Sequence, residues 1–228
     1  MQCGAVIVAA GTGERLGHSE RKAWVPLGGE PLVAHSLRAL GASSRVTRLV
    51  VAAHADDVGR MIDLVRALGI EAEVVAGGRE RQDSVLAGVR ALGEACEGVL
   101  IHDAARPFVT EALIERLALG LENAAAVVPV ERPTSTVKRI AEDVVLETVD
   151  RAFVGLAQTP QAVRRDLLLA ALESARRDGV TVTDDVQAIE RTGNRVVAVP
   201  AERFNLKITT PSDLAVAEFI LQQKIWSD

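Results

Sequence analysis

Apolar positions along the first half of the chain alternate between two periods. Short, nearly continuous runs at Gly4–Ala10, Val46–Ala53, Glu71–Ala76, Gly98–Ile101 and Ala124–Val130 predict buried strands. Between them the spacing turns helical. Pro31 opens a stretch that closes at Gly41, with Leu32, His35 or Ser36, and Ala39 in phase. Val58, Ile62, Val65 and Leu68 follow Ala55 and stop at Gly69. Val85, Val89 and Leu92 follow about Glu80, and Leu113, Leu117 and Leu121 follow a capping Thr110. Such alternation predicts an α/β fold: a mostly parallel sheet with helices on both faces, joined by right-handed crossovers. Ligands in such sheets bind beyond the carboxyl ends of the strands, so the loops at Gly11, Gly77 and Asp103 are expected on one rim.

From about 131 to 157 the rhythm changes. "TVKRI" and "VVLETV" alternate like two short strands around Ala141–Asp143, and the segment has no helix of its own. Helical phase returns over Gln161–Arg177, a short capped helix follows Thr183, and "RVVAVP" reads as a late strand. A last helix starts at Pro211, with Leu214, Ala217, Leu221 and Ile225 on one side. With no repeat or low-complexity linker visible, the expectation is one domain over 1–228 carrying an excursion at about 131–157.

Composition narrows the partners. At 228 residues and 48% hydrophobic the chain is large enough to bury a full core. Its formal net charge of −5 argues against a nucleic-acid binder but leaves room for a small anion at a local basic cluster. Cys3 and Cys96 offer neither a disulfide framework nor zinc-site spacing, and free thiols of this kind suit a reducing cytosol. No apolar run is long enough for a membrane helix, and no secretory signal pattern opens the sequence. A soluble, cytoplasmic protein is expected. Lysine is rare: Lys22, Lys138, Lys207 and Lys224 are its four instances among 26 basic residues, so a lysine can mark a place that needs a compact ammonium.

Two of the cations stand in a suggestive place. Gly11-Thr-Gly-Glu-Arg-Leu-Gly17 follows the first strand, but its third glycine is one position late for a dinucleotide fingerprint, and the offsets of a P-loop are absent. A plain strand-exit turn remains one reading. Arg15 and Lys22 support another: glycines let backbone N–H groups approach phosphate oxygens while the two cations neutralise them. His18, His35, His54 and His102 lack paired metal-ligand spacing.

Ala9-Ala10-Gly11-x-Gly13-x-Arg15-Leu16 followed by Lys22 resembles the signature loop of nucleotidyltransferases that act on a sugar or polyol phosphate. With "GGRERQDSV", "HDAARPFV", "TVDR", "QTPQ", "VTDD" and "NLKITTPSDL", nearly the whole chain resembles the 2-C-methyl-D-erythritol 4-phosphate cytidylyltransferase family of the non-mevalonate isoprenoid pathway. The resemblance implies a Rossmann-like nucleotidyltransferase fold with a protruding β-arm. It implies transfer of CMP from CTP to the acceptor phosphate with release of pyrophosphate, and it implies Mg²⁺ or another divalent cation and a homodimer formed through the arm.

By the same resemblance, Arg15 and Lys22 hold the triphosphate and the transition state, with Ala9, Ala10, Gly11 and Gly13 lining the nucleotide. Gly78, Arg79 and Ser84 match the cytosine pocket. Asp103 would meet a ribose hydroxyl, the methylerythritol moiety or the metal, which the triphosphate mainly holds, and Ala104 and Ala105 keep the approach open. Arg106 would reach a phosphate, Thr183 a substrate hydroxyl, and Lys207 would orient the attacking phosphate. Thr136 and Arg151, on the arm, would serve the neighbouring subunit's site, although Ser135 stands where family members usually carry aspartate. The motifs discriminate poorly against ribitol-5-phosphate as acceptor. A non-catalytic nucleotide sensor on the same fold is the rival of another class, and the glycine spacing disfavours an NAD-dependent oxidoreductase.

Overall fold

The computed structural model of the chain describes all residues except 14, 15, 18, 19, 227 and 228. Strands β1 (Cys3–Ala9), β4 (Val46–Ala53), β5 (Glu73–Ala76), β6 (Gly98–Asp103) and β7 (Ala126–Glu131) are the five predicted runs, and β12 (Val196–Pro200) is the late one. Between β1 and β4 a small hairpin, β2 (Pro26–Leu27) and β3 (Glu30–Pro31), precedes α1 (Leu32–Ala42). Helices α2 (Val58–Ala67), α3 (Arg81–Ala91) and α4 (Glu111–Gly120) occupy the predicted crossovers. Thr110 caps α4 by accepting the Leu113 N–H. In α2 the buried stripe runs through Met61 and Val65, with Ile62 only half-buried, so the core-facing side is turned from the one expected.

The main sheet runs β10-β7-β11-β6-β1-β4-β5, with β12 on the other side of β7. Strands β1, β4, β5, β6, β7 and β12 are parallel. The antiparallel members are β10 (Leu156–Ala157) and β11 (Gln161–Arg164). Here the expectation of a helix over Gln161–Arg177 needs correction: its first four residues form β11, wedged between β6 and β7, and only Arg165–Arg177 is helical, as α5. Gln161, Ala162 and Val163 are all buried. A four-residue buried strand running straight into a helix leaves no period-2 signature for sequence reading to detect.

Residues of β1 alternate between two apolar layers. Cys3, Ala5, Ile7 and Ala9 pack with α1, α2 and α4 on one face. Val6 packs with α3, α5 and α6 (Asp185–Glu190) on the other. A third cluster, under the rim, joins Leu27 and Leu32 to Phe108, Ile208 and the buried Ala217 and Ile220 of α7 (Pro211–Gln223). The excursion is the antiparallel pair β8 (Val137–Ala141) and β9 (Val144–Val149), a separate two-stranded sheet.

Candidate active site

The rim at the carboxyl ends of β1, β5 and β6 encloses a cleft of about 500 Å³. Three loops build it as expected. The β1 exit supplies residues 8 to 13, the β6 exit supplies Asp103, Ala104 and Ala105, and the turn before α3 supplies Gly78, Arg79 and Glu80. Lys22, Ala23, Arg81, Ser84, Lys207 and Thr209 complete the lining.

Two glycines are required sterically. Gly13 has φ +77°, and a Cβ on it would lie 2.5 Å from the Lys22 Cβ, so only glycine lets the two halves of the loop touch. A Cβ on Gly77 would lie 2.7 Å from both the Ala10 Cβ and the Ser84 Oγ. The neighbouring Gly78 N–H donates to the Ser84 Oγ at 3.1 Å, and the α3 terminus is closed by a reciprocal Glu80–Asp83 capping box.

Asp103 is the electrostatic centre. Its Oδ1 accepts from the Arg81 Nε at 3.1 Å and its Oδ2 from the Lys207 Nζ at 2.6 Å. Burial alone would raise its pKa, but Arg81 and Lys207 hold the carboxyl well below the usual carboxylate range. The other prongs of Arg81 grip Asp185, Nη1 to Oδ1 at 2.9 Å and Nη2 to Oδ2 at 2.8 Å. Burial pushes the Asp185 carboxyl up, against the pull of Arg81. The guanidinium keeps its charge because the two carboxylates outweigh its own burial. Arg81 thus locks the β6 exit to the start of α6.

A second network fixes Asp103 from behind. His102 Nε2 lies 3.0 Å from the Arg106 carbonyl, which only accepts, so the proton sits on Nε2 and Nδ1 accepts from the Thr159 hydroxyl at 3.3 Å. Thr159 Oγ1 in turn accepts the Asp103 backbone N–H at 3.0 Å. Burial lowers the His102 pKa to about 4, so the ring is neutral at physiological pH. Lys207 is steadied through its neighbours: the Ile208 N–H donates to the Ala105 carbonyl, and the Thr209 N–H and hydroxyl both donate to Asp213 in the first turn of α7. Those hydrogen bonds, that of the Thr209 hydroxyl foremost, hold the Asp213 carboxyl down at about 2.

Of the expected site residues, the cleft gathers Ala9, Ala10, Gly11, Gly13, Lys22, Gly78, Arg79, Ser84, Asp103, Ala104 and Lys207. Arg15 lies outside the described residues. Arg106 is placed differently from the expectation: its guanidinium donates to the carbonyls of Asn205 at 2.7 Å and Ala157 at 3.4 Å, bracing the rim from below rather than lining the cleft. Thr183 is exposed, pairs with Gln187, and is not part of the lining. Thr136 and Arg151 stand at the foot of the excursion, where Arg151 donates to the Thr134 carbonyl and borders a separate groove with Arg132 and Asp150.

Arg81, Asp185 and Thr209 went unrecognised in the sequence. One signal was available: Arg81 is the first residue of α3, where a cation opposes the helix dipole, and such a local conflict points to a tertiary partner.

The chain is similar to known proteins over nearly its whole length. The family model described as 2-C-methyl-D-erythritol 4-phosphate cytidylyltransferase matches residues 3–223. The enzyme of that name from Halalkalibacterium halodurans is 40% identical over 98% of this chain and 99% of its own length. A bifunctional enzyme IspD/IspF from Anaeromyxobacter sp. is 42% identical over 97% of this chain, which spans 58% of that longer relative. Among solved structures, 4-diphosphocytidyl-2C-methyl-D-erythritol synthase from Anaerococcus prevotii matches with a TM-score of 0.86 at 30% identity, covering 97% of this chain and 98% of that one.

Proposed function

The chain belongs to the 2-C-methyl-D-erythritol 4-phosphate cytidylyltransferase family, and from that premise we propose that its rim cleft carries out the family's reaction. CMP passes from CTP to 2-C-methyl-D-erythritol 4-phosphate, giving 4-diphosphocytidyl-2-C-methyl-D-erythritol and pyrophosphate, a step of isoprenoid precursor biosynthesis. The observation that carries the reading is the meeting of two of the chain's four lysines, Lys22 and Lys207, with Asp103 in one glycine-walled cleft.

The obstacle is repulsion. Two like unit charges ~5 Å apart cost ~0.8 kcal/mol in water and several times more where water is excluded. The acceptor phosphate is already an anion and needs no general base, so the residues act by positioning and by neutralising charge. Lys22, with Arg15, faces the triphosphate and the charge that builds on its α-phosphorus. Lys207, held by Asp103 in the structure, turns to the incoming phosphate and aligns it for in-line attack. Gly78, Arg79 and Ser84 receive the cytosine edge. Arg151 and Thr136 act from the partner subunit of a homodimer.

Asp103 is the deepest carboxylate of the cleft, and no cluster of three or more potential metal ligands exists among the described residues. This donor set fits a divalent cation carried mainly by the triphosphate, with Asp103 as a single protein ligand. Bound there, Mg²⁺ would neutralise charge on the phosphate oxygens. The cytoplasm, where CTP is made, is the compartment in which we place the enzyme, in keeping with its two free cysteines.

Pyrophosphate release measured with CTP and either methylerythritol 4-phosphate or ribitol 5-phosphate tests the reading. Turnover with the first acceptor, abolished by EDTA and lowered by orders of magnitude by Lys22→Ala in a protein of unchanged Tm, is expected. Turnover with ribitol 5-phosphate alone, or CTP binding with no turnover, would overturn it.

A further inference from the structure

Lys22 lies in a single 3₁₀ turn, Lys22–Trp24, and Arg21 before it and Trp24 at its end both meet one external anchor, the segment 56–60. Arg21 Nη1 donates to Asp57 Oδ1 at 2.9 Å, and its Nη2 to Asp56 Oδ2 at 2.6 Å. Asp57 is shielded, its side chain 11% exposed, whereas that of Asp56 is 70% exposed. Both carboxylates lie in the turn Ala55–Asp57 that ends β4, a strand hydrogen-bonded on both sides and therefore a rigid support. One helical turn further, the Arg60 guanidinium lies 3.9 Å above the ring of the buried Trp24 and donates to the Glu20 carboxylate at 2.8 Å.

We propose that Arg21 is a positioning residue for the transfer reaction: by forking onto Asp56 and Asp57 it fixes the backbone from which Lys22 projects to the phosphates. The assignment follows from three constraints together. Residues 20, 21 and 24 are each tied to residues 56 to 60, so the segment around Lys22 is held along its length. On the inner side Gly13 abuts Lys22 so closely that even a methyl group would collide, which leaves no slack for the turn to shift inward. Neither Arg21 nor its two partners lines the cleft, so the pair acts only through the residue it holds. Lysine has a long, flexible side chain, and the point charge at its end stabilises a transition state only where the backbone aims it. A misplacement of ~1 Å in such a group can cost ~10²-fold in rate.

The inference rests on the proposed role of Lys22, and a double-mutant cycle separates the two. CMP transfer is followed by pyrophosphate release for wild type, Arg21→Ala, Lys22→Ala and the double variant, with enough enzyme to read residual turnover. Arg21→Ala is expected to lower kcat ~10-fold or more in the wild-type background, with a smaller rise in the KM for CTP, and less than twofold in the Lys22→Ala background. Arg21→Lys, with one ammonium in place of a fork, should recover part of kcat. Should Arg21→Ala fail to fold, the same cycle is run with Asp56→Asn and Asp57→Asn, which keep the arginine. Equal losses in both backgrounds, or wild-type kcat with only a lower Tm, overturn the inference while a crippled Lys22→Ala leaves the reaction assignment standing. Full turnover by Lys22→Ala overturns both.

Discussion

Arg81 carries more of the site than its exposure suggests, because its guanidinium joins Asp103, on the rim, to Asp185, which is 1% exposed. Breaking such a pair strands a buried carboxylate, and Arg81→Gln should cost ~3–5 kcal/mol in a urea titration as well as lowering turnover. Adding Asp185→Asn removes the stranded charge and should return part of that stability, and a double variant no more stable than the single one would show that the fork is not what holds α6. His102 gives a pH signature. Its folded pKa of about 4 lies below the ~6.5 of an unfolded histidine, so the unfolded chain binds more protons between those values. Stability should therefore fall as pH drops through that window, by ~2 kcal/mol between pH 7 and 5. His102→Gln should flatten the slope, and identical slopes in the two proteins would reject the assignment. Glycines and rare lysines announced the cleft because their chemistry is legible one residue at a time. Arg81 and Asp185, separated by 104 positions, acquire meaning only from each other, and a charged residue reads as solvated surface until its partner is known.

Elements were legible where they were long and periodic. The run Val46–Ala53 is a strand with both ends as expected, and Pro211 opens α7 as its position requires. The strand β11 was lost because it is four residues long and continues directly into α5. The phase of α2 was misjudged because Met61, rather than Ile62, faces the sheet. Placement of the turn at Gly78 depends on how closely α3 approaches β1, and Gly88 sets that distance: a Cβ there would lie 2.4 Å from the Val6 Cγ1, and Val6 is fully buried and stiff. Gly88→Ala would gain roughly 1 kcal/mol in helix propensity but lose ~1–3 kcal/mol to overpacking. A lower urea midpoint with unchanged m is expected, together with a raised KM for CTP as the turn at Gly78 is displaced. A stabilised variant with wild-type KM would show that β1 yields at no cost.

For the whole molecule, the feature that one chain leaves unresolved energetically is the arm. Strands β8 and β9 pair only with each other among the described residues, yet Ile140, Val144, Val145 and Leu146 are exposed on them, and Phe153 nearby is 90% exposed. A lone two-stranded ribbon is marginal in water, and an apolar patch on a protrusion calls for a cover. A second copy, the partner proposed above, would be such a cover and would account for Arg151 and Thr136 standing apart from the cleft of their own chain. Phe153→Asp should accordingly shift the protein toward monomer in sedimentation and lower turnover with it. The sharper test mixes two inactive proteins, Lys22→Ala and Arg151→Ala, under conditions of subunit exchange. Half of randomly paired dimers are hybrids, and in each hybrid one site keeps Lys22 from its own chain and Arg151 from the other, while the second site loses both. Activity should then return to about one quarter of the wild-type value. If exchange is verified and no activity returns, each cleft is complete within its own chain, and the arm serves assembly without completing a neighbouring site.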